Sequence, residues 1–413
     1  MQLLPRLLAK VIQTGSLTLI GPDGAAQTFG GANSGPEVTL RINDPALDRK
    51  LLLNPELRLA EAYMDGALEI ERSQLRDLLR LFKLNKGGLN RSAGQAPIRR
   101  LAKLAKRISR NNPIRSRRNV AAHYDIGNDL YRLFLDADMQ YSCAYFPEGT
   151  ETLEQAQLAK KRHIAAKLRL APGQRVLDIG CGWGGMALYL AQVADVEVLG
   201  VTLAEEQLAL ARERAEAVGL GGRVRFALQD YRSVSESFDR VVSVGMFEHV
   251  GLTQMPTYFR TVRDRLTDDG VALVHSIMRM GPPGATDPFT AKYIFPGGYI
   301  PALSETTAAV EQSRLWLQDC EIWRKHYGFT LAEWAKRFEA SRDKAKAMYD
   351  ERFCRMWELY LAGAESSFMT GRMAVMQLQL GRERDAVPIS RDYLAAETER
   401  LKAREAELGI DKV

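Results

Sequence analysis

The chain of 413 residues carries only four cysteines and five histidines. Cys143, Cys181, Cys320 and Cys354 form no CxxC pair, which argues against zinc-type spacing and against a disulfide framework. A reducing, cytoplasmic setting is therefore expected. The histidines form no HExxH, so no metal centre is expected. No apolar run approaches the length needed to span a bilayer. The opening stretch MQLLPRLLAKVIQTG lacks a small-residue cleavage pattern, so no signal peptide is expected. The sharpest local absence is of acid: from Lys83 to Arg118 there are twelve Lys or Arg and no Asp or Glu. The formal net charge of +6 thus becomes about −6 over the remaining residues, and the positive charge is a local device.

The length suggests two or three domains. Residues 1–82 read as a small α+β unit, with SLTLI and EVTLRI alternating as strands and NPELRLAEAYMDG and SQLRDLLRLFKL patterned as helices. Residues 83–118 form a basic linker, Gly/Ser/Asn-rich at its start. Within it, IRRLAKLAKRISR places Ile98, Leu101, Leu104, Ala105 and Ile108 on one helical face and Arg and Lys on the other. Three readings compete for this segment: a solvated helix, a nucleic-acid binder, or an interfacial segment on anionic lipid through 98–118. No base-reading motif or interleaved aromatics accompany it, which disfavours nucleic acid. Each basic residue near an anionic surface contributes on the order of 1 kcal/mol, and the interfacial reading is preferred.

Residues 119–395 read as a third unit, followed by a charged helix over 396–413. From about residue 150, helices and strands alternate: RVLDIG, VEVLGVTL, RVRFALQD, FDRVVSVGMF and VALVHSIM are the strands. The alternation predicts a doubly wound, Rossmann-like α/β sheet, parallel and covered on both faces. Ligands of such sheets sit outside the carboxyl ends of the strands, so functional residues should fall just after them.

The first such turn is VLDIGCGWGG. Gly180, Gly182 and Gly185 match GxGxxG, a weak dinucleotide signal by itself. Asp178 inside the strand, and GVTL where a ribose-binding acid is expected, argue against a nicotinamide cofactor. The arrangement Asp178, Gly180, Gly182 and Gly184 instead suits a ligand without phosphate: the glycines admit close backbone approach, and the carboxylate holds an ammonium. That fits the amino-acid end of S-adenosylmethionine, and the alternative is a tight turn with no ligand. Thr202, Leu203 and Gln207, after the second strand, are placed to contact the nucleoside. Gln229 and Asp230, after the third, suit an adenine amino group, although an Asp at a strand end is equally a helix cap.

The stretch MQYSCAYF puts Cys143 among aromatics. A packed core thiol, a nucleophile with a nearby base, and a backbone wall of a binding site are all open readings. Here a resemblance enters. AAHYDIGNDLYRLFLD, MQYSCAYF, VLDIGCGWGG, GVTLAEEQ, SVGMFEHVG, LVHSI and AKYIFPGG resemble the cyclopropane-fatty-acyl-phospholipid synthases and the related mycolic acid cyclopropane synthases. The resemblance covers roughly residues 115–380 and, more weakly, the N-terminal unit. It implies a class I methyltransferase fold with a helical cap and a small lipid-binding domain. It also implies methylene addition across a cis double bond of a phospholipid acyl chain.

Elementary chemistry agrees with that activity. An alkene is a poor nucleophile and needs a sulfonium-activated methyl. The attack leaves a carbocation, water must be kept from it, and aromatic π faces stabilise it. A base must then take a proton from the added methyl. In similar proteins that base is a bound bicarbonate, and its holders correspond to Cys143, Glu248, His275, Ile277 and Tyr327. Cys143 and Ile277 are implied to act through main chain, and Tyr141 and Ser142 to contact the methyl donor. A like charge beside Glu248 should raise its pKa. His249 is expected to point elsewhere, and His123 and Tyr124 to be donor-site or structural residues. The acyl site is expected under the Gly/Pro-rich insertion MRMGPPGATDPFTAKYIFPGGYIP, with Tyr293, Phe295, Trp316 and Phe338 as tunnel candidates. Cys354 reads as packing, and the C-terminal helix as solvated or an oligomer contact. The resemblance further implies a homodimer, peripheral on the inner membrane face. The same donor and alkene also permit a methyl- or methylene-branched product. A membrane-binding module on a dead methyltransferase fold is disfavoured by the intact Asp178, Glu248, His275 and Tyr327.

Overall fold

The computed structural model describes residues 3–47, 50–51, 54–85 and 127–410. The basic segment 98–118, most of the linker, and His123 and Tyr124 lie outside the described residues.

The N-terminal residues build their own sheet. After α1 (Leu3–Val11) come β1 (Thr14–Ile20), β2 (Ala26–Gly30) and β3 (Asn33–Ile42). Helix α2 (Pro55–Met64) starts where Asn54 accepts from the Leu57 amide and Pro55 supplies a pre-set φ. Strand β4 (Leu68–Glu71) and helix α3 (Leu75–Leu84) complete the unit, with strand order β2-β1-β3-β4. Alternating burial along β1 sends Leu17 and Leu19 into a core with Val38, Leu40 and Leu81. Leu81 belongs to α3, whose apolar stripe covers the sheet.

The second unit is the wound sheet. Helix α4 (Leu153–Leu168) is started by a reciprocal cap between Thr152 and Gln155. There follow β5 (Arg175–Ile179), α5 (Gly185–Ala194), β6 (Glu197–Thr202), α6 (Glu205–Ala217), β7 (Val224–Leu228) and β8 (Phe238–Val244). Next are α7 (Met255–Arg265), β9 (Leu266–Arg279), α8 (Leu303–Ser313), β10 (Trp316–Trp323) and α9 (His326–Ala340). The chain closes with α10 (Glu351–Met369), β11 (Met373–Gly381) and α11 (Tyr393–Leu408). The seven-stranded order is β10-β11-β9-β8-β5-β6-β7. Strands β5 to β9 pair in parallel, whereas β11 runs antiparallel to both β9 and β10. The expectation of an all-parallel sheet is corrected at that edge. After β7 the chain returns to the other side of β5, so the topological switch, where ligands of such sheets bind, lies between β5 and β8.

One further expectation changes. Helix α11 is no solvated tail: Leu401 and Glu405 are fully buried, and Glu405 takes hydrogen bonds from Arg162 of α4 (2.9 Å to Nε) and Tyr189 of α5 (2.6 Å). The two units also meet. Arg76 pairs with Glu365 at 2.9 Å, and Glu61 of α2 accepts from Lys292 (2.7 Å) and Tyr293 (2.9 Å) of the insertion after β9.

Candidate active site

Two adjoining cavities lie at the carboxyl ends of the parallel strands. The first contains all ten residues expected to hold the methyl donor: Tyr141, Ser142, Asp178, Gly180, Gly182, Thr202, Leu203, Gln207, Gln229 and Asp230. Its floor is the turn after β5. Gly180 has φ +83°, and a Cβ there would lie 2.7 Å from the Met246 side chain, so the tight approach requires glycine. Asp178 is buried, and its Oδ2 has no hydrogen-bond partner among the described residues. Burial pushes the Asp178 carboxyl up to about 7, tempered by the charge of Lys160. An unpaired buried carboxylate beside a glycine turn is complementary to an ammonium, which is what the amino-acid end of S-adenosylmethionine presents. Thr202 Oγ1 and Gln207 Oε1 are 3.2 Å apart, which fixes the pair at the end of β6. Asp230 is a cap as well as a wall: it accepts from the Arg232 amide at 3.0 Å and from the Arg232 guanidinium at 2.8 and 2.6 Å. Its oxygens are thus engaged by Arg232.

Another wall of the first cavity is the stretch from Met139 to Ser142. Met139 there adopts φ +58°, a left-handed conformation held by Asp136, which accepts from the amides of Asp138 (3.1 Å) and Gln140 (2.8 Å). Lys160 of α4 is fully buried beneath it and donates to Gln140 Oε1 (2.5 Å) and Ser142 Oγ (2.8 Å). Burial lowers the Lys160 ammonium to about 8. Sequence patterning gave no hint of Lys160, because a lysine on a helix is ordinarily solvated.

The second cavity, of about 520 Å³, contains all five residues expected around the base: Cys143, Glu248, His275, Ile277 and Tyr327. Its size lies within the range of sites that enclose a small-molecule ligand. Glu248 sits in the turn after β8. Its Oε1 accepts from the Ile277 amide at 2.6 Å, while Oε2, also buried, has no partner among the described residues. Burial pushes the carboxyl up to about 7, partly countered by that amide, by Glu248's own amide and by the neighbouring Ser276 hydroxyl. Raising therefore comes from desolvation alone, before any neighbouring anion is considered. His275 on β9 is buried and held well below its ordinary pKa by burial, so it is a neutral imidazole. Burial pushes the Cys143 thiol up, and its Sγ contacts the neighbouring Ala144 carbonyl at 3.3 Å, which disfavours a thiolate nucleophile.

Tyr141 and Ser142 line both cavities and join them. Tyr141 stacks on Trp334 at 5.2 Å between ring centroids, and its hydroxyl is 2.9 Å from that of Tyr360. His249 also borders both cavities, which corrects the expectation that it points elsewhere. Of the aromatic tunnel candidates, Phe295 lines the second cavity. Trp316 is half exposed at the start of β10, Phe338 is packed against Phe134, and the Tyr293 hydroxyl bonds Glu61. Leu59, Leu75, Leu78, Leu79 and Phe82 from α2 and α3 do line it, a contribution invisible to local patterning because it depends on how the units dock. Cys354 is fully buried core, as expected. Among the described residues no helix is long and apolar enough to cross a membrane.

Comparison with known proteins agrees with this geometry. The family model described as mycolic acid cyclopropane synthetase matches residues 111–378, and a model for a domain of unknown function matches 7–93. The Escherichia coli K12 cyclopropane-fatty-acyl-phospholipid synthase is 38% identical over 356 residues, 85% of this chain and 89% of that protein. A probable fatty acid methyltransferase of Pseudomonas putida is 36% identical over 83% of this chain and 86% of its own length. Among solved structures, the cyclopropane synthase MmaA2 of Mycobacterium tuberculosis superposes with a TM-score of 0.62 at 33% identity, covering 64% of this chain and 97% of that one. The mycolic acid cyclopropane synthase CmaA1 complexed with SAH and CTAB gives 0.61 at 32% identity, with the same coverage of each chain.

Proposed function

The chain belongs to the mycolic acid cyclopropane synthetase family, with the fold of a class I S-adenosylmethionine-dependent methyltransferase, and from that premise we propose that it builds cyclopropane rings on the unsaturated acyl chains of membrane phospholipids. The observation that carries this reading is the junction of the two cavities at Tyr141 and Ser142: a site for a cationic methyl donor opens onto an apolar cavity lined by an acid–base cluster.

In balance, the sulfonium methyl–sulfur bond breaks, the alkene π pair forms a new carbon–carbon bond, one methyl hydrogen leaves as a proton, and the freed pair closes the ring. Asp178 pairs with the donor's ammonium, and the backbone of the Gly180–Gly182 turn packs against it. Thr202, Leu203 and Gln207 contact the nucleoside, with Gln229 and Asp230 at the base edge. Tyr141 presents its ring where positive charge develops on the acyl chain, stacked on Trp334 so that it does not move. Leucines from α2 and α3 and aromatics such as Phe295 keep water from that charge.

The donor set fits a small protonatable anion. Glu248, with its raised pKa, offers a hydrogen from the unpartnered Oε2. His275 and Tyr327 add donors, and the main chain at Cys143 borders the same space. The Ile277 amide acts through Glu248, which it already binds. A bicarbonate held there would supply the base for the methyl proton.

Residues 1–82 are proposed as a lipid-handling unit, the basic segment 98–118 as an anchor on anionic membrane, and the functional form as a homodimer on the inner membrane face. The fatty acid methyltransferase relative suggests a second outcome, loss of a different proton to leave a methyl- or methylene-branched chain. Product analysis after incubation with cis-unsaturated phospholipid tests the choice. A chain heavier by one CH2 that resists catalytic hydrogenation is a ring, and one that takes up hydrogen is not.

A further inference from the structure

Behind His275 lies a buried row of side chains that the reaction does not touch. His275 and Gln377 are directly paired on the antiparallel strands β9 and β11. Gln377 Nε2 is 3.1 Å from His275 Nδ1, and Gln377 Oε1 is 2.9 Å from Lys167 Nζ. Lys167 also bonds Glu321, which in turn lies 2.7 Å from His163 Nε2. Gln377, His275 and Lys167 are all essentially inaccessible to solvent.

The chemistry of the row dictates its polarity. An ammonium has donors only, so it accepts nothing and must face the amide oxygen of Gln377. The Gln377 NH2 then faces His275 and has donors only, so Nδ1 must be the accepting nitrogen. The single hydrogen of the neutral ring therefore sits on Nε2. Glu321 keeps Lys167 in place from behind; its carboxyl lies well below the ordinary range despite burial, because His163 and Lys167 bind it. The Gln379 side chain ties the Lys167 carbonyl to β11 at 2.6 Å, so the end of α4 cannot drift. Trp323 meets the imidazole edge-on at 5.2 Å and fixes its plane. The charged groups around the ring, Lys160 and Lys167 on α4 and Glu321 on β10, leave it neutral.

We propose that Gln377 and Lys167 are positioning residues that lock His275 as the Nε2–H tautomer, so that the ring presents a hydrogen-bond donor to the anion beside Glu248. The proposal rests on the functional reading above for what His275 donates to, but the tautomer itself does not. A lone histidine in that cavity can equally turn a lone pair toward the anion, which would repel it. The row removes that choice.

The test uses the full chain with isotope-labelled histidine, His275 being assigned through a His275→Asn variant. Nitrogen resonances of the wild-type ring should report a neutral imidazole protonated at Nε2. Gln377→Glu keeps the shape, still accepts from Lys167, and turns an acceptor toward Nδ1. It should move the hydrogen to Nδ1 or charge the ring. It should also lower kcat by roughly ten- to a hundredfold with KM for the donor unchanged, the range typical when a group orienting a site histidine is lost. A wild-type ring protonated at Nδ1, or a Gln377→Glu ring that keeps the wild-type tautomer, overturns the proposal. Should Gln377→Glu fail to fold, the wild-type resonances decide by themselves. A wild-type Nε2–H ring in a protein that never alkylates lipid upholds the tautomer assignment and rejects only the proposed reaction.

Discussion

Glu248 accepts the Ile277 amide hydrogen at 2.6 Å through one carboxylate oxygen and leaves the other buried with no partner among the described residues. The amide fixes the rotamer, and the orphan oxygen faces the consequence of burial: its carboxyl is pushed up to about 7. A carboxylic acid in that state gives a hydrogen bond to an anion instead of repelling it. Glu248→Gln should keep the shape and the Ile277 contact but lose the titratable hydrogen. Turnover is expected to fall by roughly 10²-fold or more, the usual scale for a positioned acid–base group. Calorimetric binding of S-adenosylhomocysteine should change little. Loss of both would mean that the residue supports the donor site and not the acyl site.

The proposed pairing of Asp178 with the donor's ammonium predicts that donor binding depends on pH. The Asp178 carboxyl, ordinarily near 3.8, is raised to about 7 without a partner. Below its raised pKa the group is protonated, and an incoming ammonium must displace that proton. Above it the carboxylate is ready. Affinity for S-adenosylhomocysteine should therefore rise with pH and level off above about 7, by up to tenfold per unit on the rising limb. Stability runs the other way: the ligand-free protein should lose stability as pH climbs from about 4 to about 7, because the unfolded chain's carboxyl ionises there while the buried one stays protonated. In Asp178→Asn the affinity should be lower and its slope flat. A wild-type affinity that is constant across this range would remove the ammonium pairing.

Much of this site was legible in the sequence because its parts are local. A glycine turn at a strand end and an Asp inside the strand follow from alternation and from where wound sheets bind ligands, whereas Glu248 and His275, at the ends of adjacent strands, are singled out by the family resemblance. What escaped was non-local. β11 enters antiparallel between β9 and β10, and Gln377 reaches His275 only through that pairing. Lys160 and Lys167 look like ordinary helix-surface lysines until the strands and the 136–143 segment cover them. The aromatic character of Trp316 and Phe338 suggests tunnel residues, but a ring's neighbours are set by tertiary packing. Helix α11 reads as solvated from its charge, yet Glu405 is buried because Arg162 and Tyr189 satisfy it.

The docking of the N-terminal unit predicts a size-exclusion effect. Leu79 of α3 lines the second cavity, proposed here for the acyl chain, but not the first. Leu79→Trp should fill space meant for a chain. Activity on phospholipid is expected to fall several-fold, through a raised KM for lipid, while donor affinity stays within experimental error. Equal activity with long-chain phospholipid would place the chain elsewhere.

The acid-free segment predicts salt-sensitive membrane attachment. Neutralising Arg99, Arg100, Lys103, Lys106, Arg107 and Arg110 removes charges worth on the order of 1 kcal/mol each at an anionic surface. Vesicle binding in a sedimentation assay should drop sharply for phosphatidylglycerol-rich vesicles, and what remains should be nearly independent of salt. Binding that is unchanged would remove the anchor role.

The central claim is that a donor methyl is carried to a lipid alkene and then loses one hydrogen to close a ring. Incubating the full chain with vesicles of cis-monounsaturated phospholipid and a donor bearing a fully deuterated methyl tests it directly, by mass analysis of the released fatty acids. The account predicts a product that resists hydrogenation and retains two of the three deuterium atoms. Retention of all three, or no deuterium in lipid from a protein that binds the donor, would contradict it.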